Sequence, residues 1–508
     1  METDSSLTGR RRLFALRIVT PLLAVFALAA WALASPPGAS PDDDFHLASI
    51  WCSAPEAAGH CKTTSNSAQR TLPRDVGVDS MCYVRDTAMS AGCLGPDYGN
   101  MPQDTVTTNR GNFDGGYPGV FYSTMSLFVG DDISASVVQM RLSNSVIFVG
   151  LVTALFALLP LRHRPALLWS SVITMVPLGM YLVPSTNPSS WAIASGTTAL
   201  LATLGYLETT GRRRLLLGAF ALVAVVIGAG ARADAAVYAC LAIVAAAVLA
   251  FRKERSFFVA FALPVALIMI AAVFYLTSGQ GTSAATGGMA RGEVAEHKGT
   301  LVFLNFLNLP DLWAGMFGGY PLGWFDSPLP AIPQVMPLIA FAAVAFAGLR
   351  LYFRGKGLVA VGLVTALWAV PTFILLQTGA FVGEYVQPRY IYPLVIMLAA
   401  VLLLRTTEKQ WVLTRGQLWL VIVALSTANS VALHSSIRRY VTGNDVVSWN
   451  LNYSVEWWWN LAISPAATWV GGSLAFLLGL VGVSLLTSRR TSPHAKEQPL
   501  LTRPAVAA

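Results

Sequence analysis

Three consecutive carboxylates and a histidine form the sequence feature with the clearest chemical potential. Asp42, Asp43 and Asp44 follow the turn-forming string SPPGASP, and His46 comes two residues later. Because adjacent carboxylates repel each other, one of them can have a raised pKa and accept a proton from a hydroxyl group. The same oxygens also suit a divalent cation such as Mg²⁺, Mn²⁺ or Ca²⁺. The non-catalytic alternative is a solvated turn whose charges favour the amino-terminal dipole of the next helix.

Two arginines stand at the mouths of apolar segments, where they could bind an anion. Arg389, in the string YVQPRYIYP, could donate two parallel hydrogen bonds to a phosphate. Arg232 precedes another apolar run and has Asp234 as a near neighbour. The alternatives are a snorkelling anchor for Arg389 and a self-contained interfacial ion pair for Arg232 and Asp234. Asn187 breaks a predicted helical hairpin, and its side chain could equally cap that turn.

The composition places these residues in a membrane protein. The chain has 508 residues, 55% of them hydrophobic and only 12% charged, which excludes a water-soluble enzyme. Apolar runs of roughly 17 to 25 residues recur, and each is long enough to cross a bilayer as a helix. We therefore predict an all-α polytopic membrane protein with about 12 transmembrane helices. The predicted spans are 13–34, 142–159, 167–183, 191–207, 215–230, 235–250, 257–277, 335–349, 358–377, 390–404, 418–433 and 467–486.

The positive charges set the predicted orientation. Lys and Arg number 34 against 26 Asp and Glu, and they form short clusters between apolar runs. No long basic arm is present, so a nucleic-acid partner is excluded. If every run crosses, alternate connections carry the basic clusters and are predicted to be cytoplasmic. Because the first run follows Arg10, Arg11 and Arg12, we expect a retained helix with a cytoplasmic amino terminus, with a cleaved signal peptide as the alternative.

The predicted outer connections are unequal in length. The first has about a hundred residues, too many for a structureless connection, so we expect a folded or membrane-lying element there. The predicted organisation is 1–12 cytoplasmic, 13–34 first helix, 35–141 extracytoplasmic loop, 142–277 helices two to seven, 278–334 loop, 335–433 helices eight to eleven, 434–466 loop, 467–487 last helix and 488–508 cytoplasmic tail.

Four of the five cysteines lie in the first predicted outer loop. An even number of cysteines in an oxidising compartment predicts two disulfides, for which three connectivities are possible. We favour the local pairing of Cys52 with Cys61 and of Cys82 with Cys93. A zinc site is the alternative, but no CxxC or HxxxH spacing accompanies these residues.

The predicted membrane cores contain almost no ionisable residues. Coupled transporters usually place such groups in mid-membrane as relays or counter-ions, so their scarcity counts against a transporter of that kind. Ionisable residues gather instead where helices meet the predicted outer face. We therefore place the candidate chemistry at that face.

A series of short motifs follows in order along the chain. Pro41 to His46 match a Pro-Asp-Glu-x-x-His pattern after an apolar helix, with Asp43 in place of Glu. The later motifs contain Tyr117, Tyr122, Arg141, Asn144, Asn187, Arg232, Asp234, Asp326, Gln387, Arg389 and Tyr390. Because these motifs follow one another in this order, the chain resembles GT-C glycosyltransferases, and more narrowly the bacterial membrane proteins of domain-of-unknown-function family 2142. The cysteine-bearing segment 51–101 matches no family motif.

The resemblance implies a GT-C-like fold and an activity. Such an enzyme transfers a sugar from a polyprenyl-phosphate donor to a cell-envelope glycan or lipid acceptor, usually with inversion, at the outer face of a bacterial cytoplasmic membrane. Asp42, Asp43 and His46 are the implied catalytic residues, with Asp42 as the base and with Asp42 and Asp43 as ligands if a cation binds. Arg389 and Arg232 would bind the donor phosphate. The implied substrate-binding residues are Asp44, Tyr117, Tyr122, Arg141, Asn144, Asn187, Asp234, Asp326, Gln387 and Tyr390.

Two other functions are kept as alternatives. A lipid-linked glycan flippase or exporter would need a polar path through the membrane, which uncharged Ser, Thr and Asn side chains would have to line. A non-catalytic envelope scaffold would use the disulfide-bonded loop to bind a partner. In all three cases the lipid bilayer is a partner.

Overall fold

The fold is a bundle of long apolar helices. The computed structural model describes residues 2–55, 59–99, 104–286, 298–384, 386–406 and 413–487; the predicted tail 488–508 therefore lies outside the described residues. The helices, in chain order, are α1 (Glu2–Leu33), α2 (Asp43–Trp51), α3 (Arg74–Gly77), α4 (Val120–Met125), α5 (Ile133–Leu158), α6 (Arg164–Met175), α7 (Leu178–Leu182), α8 (Ser189–Glu208), α9 (Gly211–Ala229), α10 (Ala233–Ala250), α11 (Arg255–Ala260), α12 (Ala262–Thr277), α13 (Gly279–Thr286), α14 (Lys298–Ala314), α15 (Ala331–Leu349), α16 (Arg354–Thr378), α17 (Pro388–Leu402), α18 (Arg415–Val441) and α19 (Pro465–Thr487).

Helix length and apolarity confirm a multi-pass membrane protein. Within the described ranges, eight segments are long and apolar enough to span a bilayer, and α17 is a shorter apolar helix. Their outer faces carry exposed side chains such as Met269, Phe346 and Leu420, which suit contact with lipid. The segments are Arg11–Leu33, Ile133–Leu158, Ala233–Ala250, Arg255–Thr277, Ala331–Leu349, Arg354–Thr378, Arg415–Val441 and Pro465–Thr487. The remaining predicted runs also fold as helices, and the count of twelve crossings stays a prediction.

One predicted span is divided in the structure. The sequence predicts a single helix over 167–183, whereas the chain forms α6 and α7 with a break at Val176 and Pro177. Proline has no backbone N–H group to continue the helical ladder, and it disfavours a helical conformation in the residue before it. The interruption brings the end of α7 to the same face of the bundle as the acidic turn.

The first long loop is a folded unit, as its length predicts. It contains α2, α3 and α4 and an antiparallel three-stranded sheet in the order β1 (Lys62–Thr63), β2 (Arg70–Pro73) and β3 (Thr105–Thr108). A small apolar core that includes Leu47, Trp51, Leu72 and Phe121 fixes the unit to the ends of the membrane helices. The bundle is therefore all-α, and the small sheet belongs to the loop above it.

The two disulfides have the predicted local pairing, Cys52 with Cys61 and Cys82 with Cys93. The second one closes a short loop, residues 82–93, that contacts the segment before the acidic turn. Tyr83, next to Cys82, is fully buried and donates a hydrogen bond of 2.5 Å to the carbonyl oxygen of Pro37. The loop 82–93 therefore holds the segment that leads to Asp42.

Candidate functional site

The chain that carries Asp42 is held from behind by buried polar side chains. The Arg141 guanidinium, 1% exposed, donates to the carbonyl oxygens of Ala32, Ser35 and Pro36 at 2.9, 2.5 and 2.7 Å. Asn187 donates to the carbonyl oxygen of Pro41 at 2.8 Å. Because these donors satisfy buried carbonyl groups, they fix the turn between α1 and α2.

Asn144 belongs to the same supporting layer. Its amide donates to the carbonyl oxygen of Ser185 at 2.7 Å and accepts from the Trp191 indole at 2.9 Å. Three residues predicted to bind substrate, Arg141, Asn144 and Asn187, thus contact protein groups behind the acidic turn.

The buried middle carboxylate of the acidic turn has different partners from its two neighbours. Asp42 has a left-handed backbone with φ 60°, which turns its side chain away from that of Asp43. Asp43 is fully buried and accepts from the Thr186 hydroxyl at 2.6 Å and the Ser40 amide at 3.2 Å. Asp44 accepts from Arg110 at 2.7 Å, and Asp42 contacts the same guanidinium group. Asp43 is therefore separated from Asp42 and Asp44, which share one arginine.

This divergence bears on the predicted divalent cation. Among the described residues, no three His, Cys, Asp or Glu side chains lie close enough together to hold a metal ion. Asp42 and Asp43 are also engaged by different donors. This arrangement does not suit a cation shared by both carboxylates, and the predicted cation stays a prediction.

Asp42 lies at the centre of a cluster of arginines. Its carboxylate contacts Arg389 at 2.5 Å and Arg110 at 3.3 Å. Arg389 begins α17, is 4% exposed, and also donates to the carbonyl oxygen of Pro41 at 3.3 Å. Burial by itself would raise the pKa of Asp42, but attraction to Arg389, and to His46 and Arg110, lowers it to about 2. Asp42 is a carboxylate at neutral pH.

A second arginine, Arg232, lies close to the same aromatic ring as Arg389. The guanidinium groups of Arg389 and Arg232 lie 5.2 and 4.9 Å from the centre of the Tyr390 ring, and that of Arg232 lies 5.9 Å from the Tyr117 ring. Asp234, in the first turn of α10, holds Arg232 through two hydrogen bonds of 2.9 and 2.8 Å. Two buried cations are thus kept close together at one mouth of the bundle.

His46 completes the cluster as a neutral group. Its Nδ1 atom lies 2.9 Å from the Tyr122 hydroxyl, and its ring packs edge-on against Tyr117 at 5.6 Å. Burial lowers the pKa of His46 to about 3. The imidazole therefore carries no charge at neutral pH and serves as a hydrogen-bonding partner there.

Asp43 and His46 should give the folded state opposite responses to pH. Burial raises the pKa of Asp43 from 3.8 to about 6, so between these values the folded protein holds more protons and its stability falls as pH rises. Between its folded pKa of about 3 and its ordinary value of 6.5, His46 holds more protons in the unfolded chain, so its contribution rises with pH.

We expect Asp43→Asn to make the thermal unfolding midpoint rise more steeply with pH between about 4 and 6. The variant loses the Asp43 contribution, which makes stability fall with pH, and keeps the His46 contribution, which makes stability rise. We expect His46→Gln to make the midpoint fall over the same range. The midpoint of the purified protein, measured at several pH values, tests both slopes. Parallel profiles for the wild type and both variants would contradict the assigned burial of these groups.

A small cavity adjoins the Asp42–Arg389 pair. Its walls include Pro41, Gln387, Arg389, Tyr320 and Phe325, and its volume is about 20 Å³. That is room for about one water molecule, so a sugar would need the walls to move apart. Gln387, predicted to bind substrate, thus lies beside the ion pair at the start of α17.

Asp326 lies in a different cluster. It accepts from Arg439 at 3.1 Å, and the two side chains are 3% and 1% exposed. Arg439 also donates to the carbonyl oxygens of Met89 and Tyr83 at 2.6 and 2.9 Å. Arg439 therefore connects the end of α18 to the loop 82–93 that is closed by Cys82 and Cys93. Asp326 supports this loop and does not face Asp42.

Breaking this buried pair should destabilise the protein strongly. We expect Arg439→Met to lower the free energy of unfolding by about 3 to 5 kcal/mol, because it leaves the Asp326 carboxylate buried without its cation. Arg74, which pairs with Asp79 on the loop surface, is 51% exposed, so Arg74→Met should cost at most about 1 kcal/mol. Chemical unfolding of the two variants in the same detergent gives the comparison. Equal losses would contradict the structural role of Arg439.

Two arginines that contact predicted site residues, Arg110 and Arg439, were not identified from the sequence. Arg110 follows β3 in a loop, and the sequence around it does not indicate that its side chain contacts Asp42 and Asp44. Arg439, together with Arg438, did carry a signal: two arginines end α18 at the face predicted to be outer, where the positive-inside rule leaves few. Cations on that face need a local partner, and Asp326 is the partner of Arg439.

The structure therefore brings together one set of predicted residues and separates the rest. The set around Asp42 consists of Asp44, His46, Tyr117, Tyr122, Arg232, Asp234, Gln387, Arg389 and Tyr390. Asp43, Arg141, Asn144, Asn187 and Asp326 contact supporting protein groups.

No curated protein and no solved structure matches the chain. The family model described as predicted membrane protein (DUF2142) matches residues 25–398, which include α1 from residue 25, the acidic turn and the start of α17 with Arg389. This match covers well over half of the 508 residues, so the chain belongs to the DUF2142 family of predicted membrane proteins.

Proposed function

We propose that the protein is a glycosyltransferase that moves a sugar from a polyprenyl-phosphate donor to a hydroxyl group of a cell-envelope glycan or lipid, at the outer face of a bacterial cytoplasmic membrane. The observation that carries this proposal is the Asp42 carboxylate 2.5 Å from Arg389, with Arg232 close to the neighbouring Tyr390 ring. A proton acceptor and two anion-binding groups lie together beside apolar helices. That combination suits a substrate with a phosphate headgroup and a lipid tail.

The proposed reaction forms one bond and breaks one. The acceptor hydroxyl oxygen attacks the anomeric carbon of the sugar while the bond from that carbon to the phosphate oxygen breaks. Asp42 takes the hydroxyl proton, and the phosphate leaves with the bonding electron pair as polyprenyl phosphate. Arg389 and Arg232 stabilise the negative charge of the leaving group. Attack from the face opposite the phosphate inverts the anomeric configuration.

The Asp42–Arg389 ion pair links donor binding to base strength. With Arg389 beside it, Asp42 has a pKa of about 2 and is a weak base. A donor phosphate would compete with Asp42 for the same guanidinium group. As that interaction weakens, burial becomes the main influence and raises the pKa of the carboxyl group. Asp42 would then become a better proton acceptor once the donor is bound.

The tyrosines of the cluster have a positioning role in this proposal. Tyr390 lies close to both guanidinium groups, and the attraction of its ring for cations offsets part of the repulsion between their like charges. Tyr117 covers Arg232, and Tyr122 fixes His46 through its hydroxyl. The site is therefore organised before substrate arrives, which is the condition for electrostatic catalysis.

Transfer in reconstituted vesicles tests the proposal. The purified full chain is inserted into vesicles with a polyprenyl-phosphate monosaccharide labelled in the sugar, and an envelope-lipid extract serves as the acceptor. We expect label in the extract together with release of an equal amount of unsubstituted polyprenyl phosphate. Movement of intact donor across the bilayer without transfer would instead support a flippase. Failure of transfer over a panel of donor sugars would overturn the proposed activity.

A further inference from the structure

A cavity lies away from the acidic cluster, between α1, α5, α6 and α19. Its volume is about 140 Å³, and side chains such as Ala24, Val152, Phe156, Val172 and Phe476 line it. The lining is apolar apart from four polar residues, which are Arg17, Thr20, Thr153 and Ser171. Its position and chemistry are those of a site for a hydrocarbon chain.

The cavity runs along α1 from Arg17 to Leu28 and along the second half of α5. Arg17 lines one end of it and Ala27 lines it nearer the other, a separation of about 15 Å at the rise of a helix. That length is about the hydrocarbon thickness of one leaflet. Arg17 itself lies about 24 Å before the end of α1 at Leu33, so this end of the cavity is the one farther from the acidic turn.

Three arginines surround that end. Arg17 is exposed and lines the cavity, and the Arg164 guanidinium lies 5.0 Å from the centre of the Phe156 ring, which also lines it. The charges of Arg17 and Arg213 both repel that of Arg164. The three cations are therefore near neighbours at the mouth of an apolar space.

These cations have no acidic partner in the described part of the chain. Arg164 donates to the carbonyl oxygens of Leu159 and Ala157, and Arg213 donates to that of Leu158. By contrast, nearby Arg162 is neutralised by Glu208 at 2.8 Å. Three uncompensated positive charges at the polar end of an apolar cavity are complementary to an anionic lipid headgroup.

We propose that this cavity binds one acyl chain of an anionic phospholipid, whose headgroup phosphate is held by Arg17, Arg164 and Arg213 in the leaflet opposite the candidate site. This leaflet is the cytoplasmic one in the predicted topology, where anionic lipids attract basic side chains. The proposal uses residues outside the Asp42 cluster and does not depend on sugar transfer.

The experiment measures lipid selectivity of the full chain in phosphatidylcholine vesicles. Trace phosphatidylglycerol or phosphatidylcholine, spin-labelled near the end of one acyl chain, reports the fraction held at the protein. We expect the labelled phosphatidylglycerol to associate more strongly. Arg17→Gln and Arg213→Gln should each reduce its relative association constant by about fivefold, since one basic side chain near a membrane surface contributes that factor.

Matched variants separate the cavity from general surface charge and from overall folding. Arg255→Gln removes an exposed arginine that follows another basic connection and should leave selectivity unchanged. Thr153→Phe, which fills the cavity, should lower retention of the labelled chain, whereas Val146→Phe on an exposed part of the same helix should not.

Three results would overturn the proposal. The first is equal association of the two labelled lipids with the wild type. The second is an equal loss of selectivity in Arg255→Gln and Arg17→Gln, which would indicate a diffuse charge effect. The third is displacement of labelled phosphatidylglycerol by inorganic phosphate alone, which would indicate a site for a free anion.

Discussion

Replacing Asp42 by Asn is expected to lower the rate of sugar transfer by about 10²- to 10⁴-fold, the contribution typical of a general base. The substitution keeps the size of the side chain and removes its capacity to accept the proton. It also suits the backbone, because Asn tolerates the left-handed conformation that Asp42 adopts at φ 60°. The initial rate of labelled-sugar transfer in vesicles, at saturating donor, gives the measurement.

The matched control is Asp79→Asn in the same loop. Asp79 pairs with Arg74 at the surface, so its neutralisation changes charge by the same amount away from the cluster. Transfer by this variant should equal that of the wild type. If Asp42→Asn retains more than about a tenth of the activity with an unchanged unfolding midpoint, Asp42 is not the base.

Arg389→Gln is expected to change both the rate and its dependence on pH. The variant loses one cation facing the leaving phosphate, and we expect transfer to fall by about 10²- to 10³-fold at neutral pH. It also removes the charge that holds the pKa of Asp42 at about 2, so that burial then raises the pKa. Because a base must be deprotonated to act, the acid limb of the rate profile should move to higher pH.

Two control variants separate the loss of charge at Arg389 from the loss of its paired hydrogen-bond donors and from a general effect of surface charge. Arg389→Lys keeps the charge but not the planar pair of donors, so it should retain the wild-type acid limb while binding the donor more weakly. Arg74→Gln, a surface arginine of the loop, should change neither quantity. Unchanged donor binding and an unchanged pH profile in Arg389→Gln would support the membrane-anchor interpretation of Arg389.

The helices were the part of the fold most accessible to sequence analysis. Long apolar runs must satisfy their backbone groups internally in lipid, which leaves helix as the conformation available to them. The predicted runs accordingly coincide with helices, and the predicted resemblance to the DUF2142 family is confirmed. The break at Pro177 was not predicted, since hydropathy alone does not register the loss of one backbone donor.

The candidate site was predictable in outline because its arginines begin apolar segments. Arg389 and Arg232 lie near Asp42, as expected for residues gathered at one face of a bundle. The divergence of Asp42 and Asp43 was not predictable, because it follows from a left-handed φ at Asp42 that Asp permits without requiring. Arg110 was missed for a related reason, since loop residues have no periodicity that reports which side chains they meet.

The disulfide-closed loop 82–93, whose Tyr83 contacts the segment before Asp42, has a consequence for how the protein matures. Tyr83 follows Cys82 directly and contacts the turn before Asp42, so closure of the Cys82–Cys93 bridge and maturation of the acidic turn are mechanically connected. Newly made chains would gain their competent geometry only after thiol oxidation, which the cytosol does not favour. In the predicted topology the bridge would form only on chains whose loop reaches the outer face, so its closure would distinguish correctly inserted chains from inverted ones.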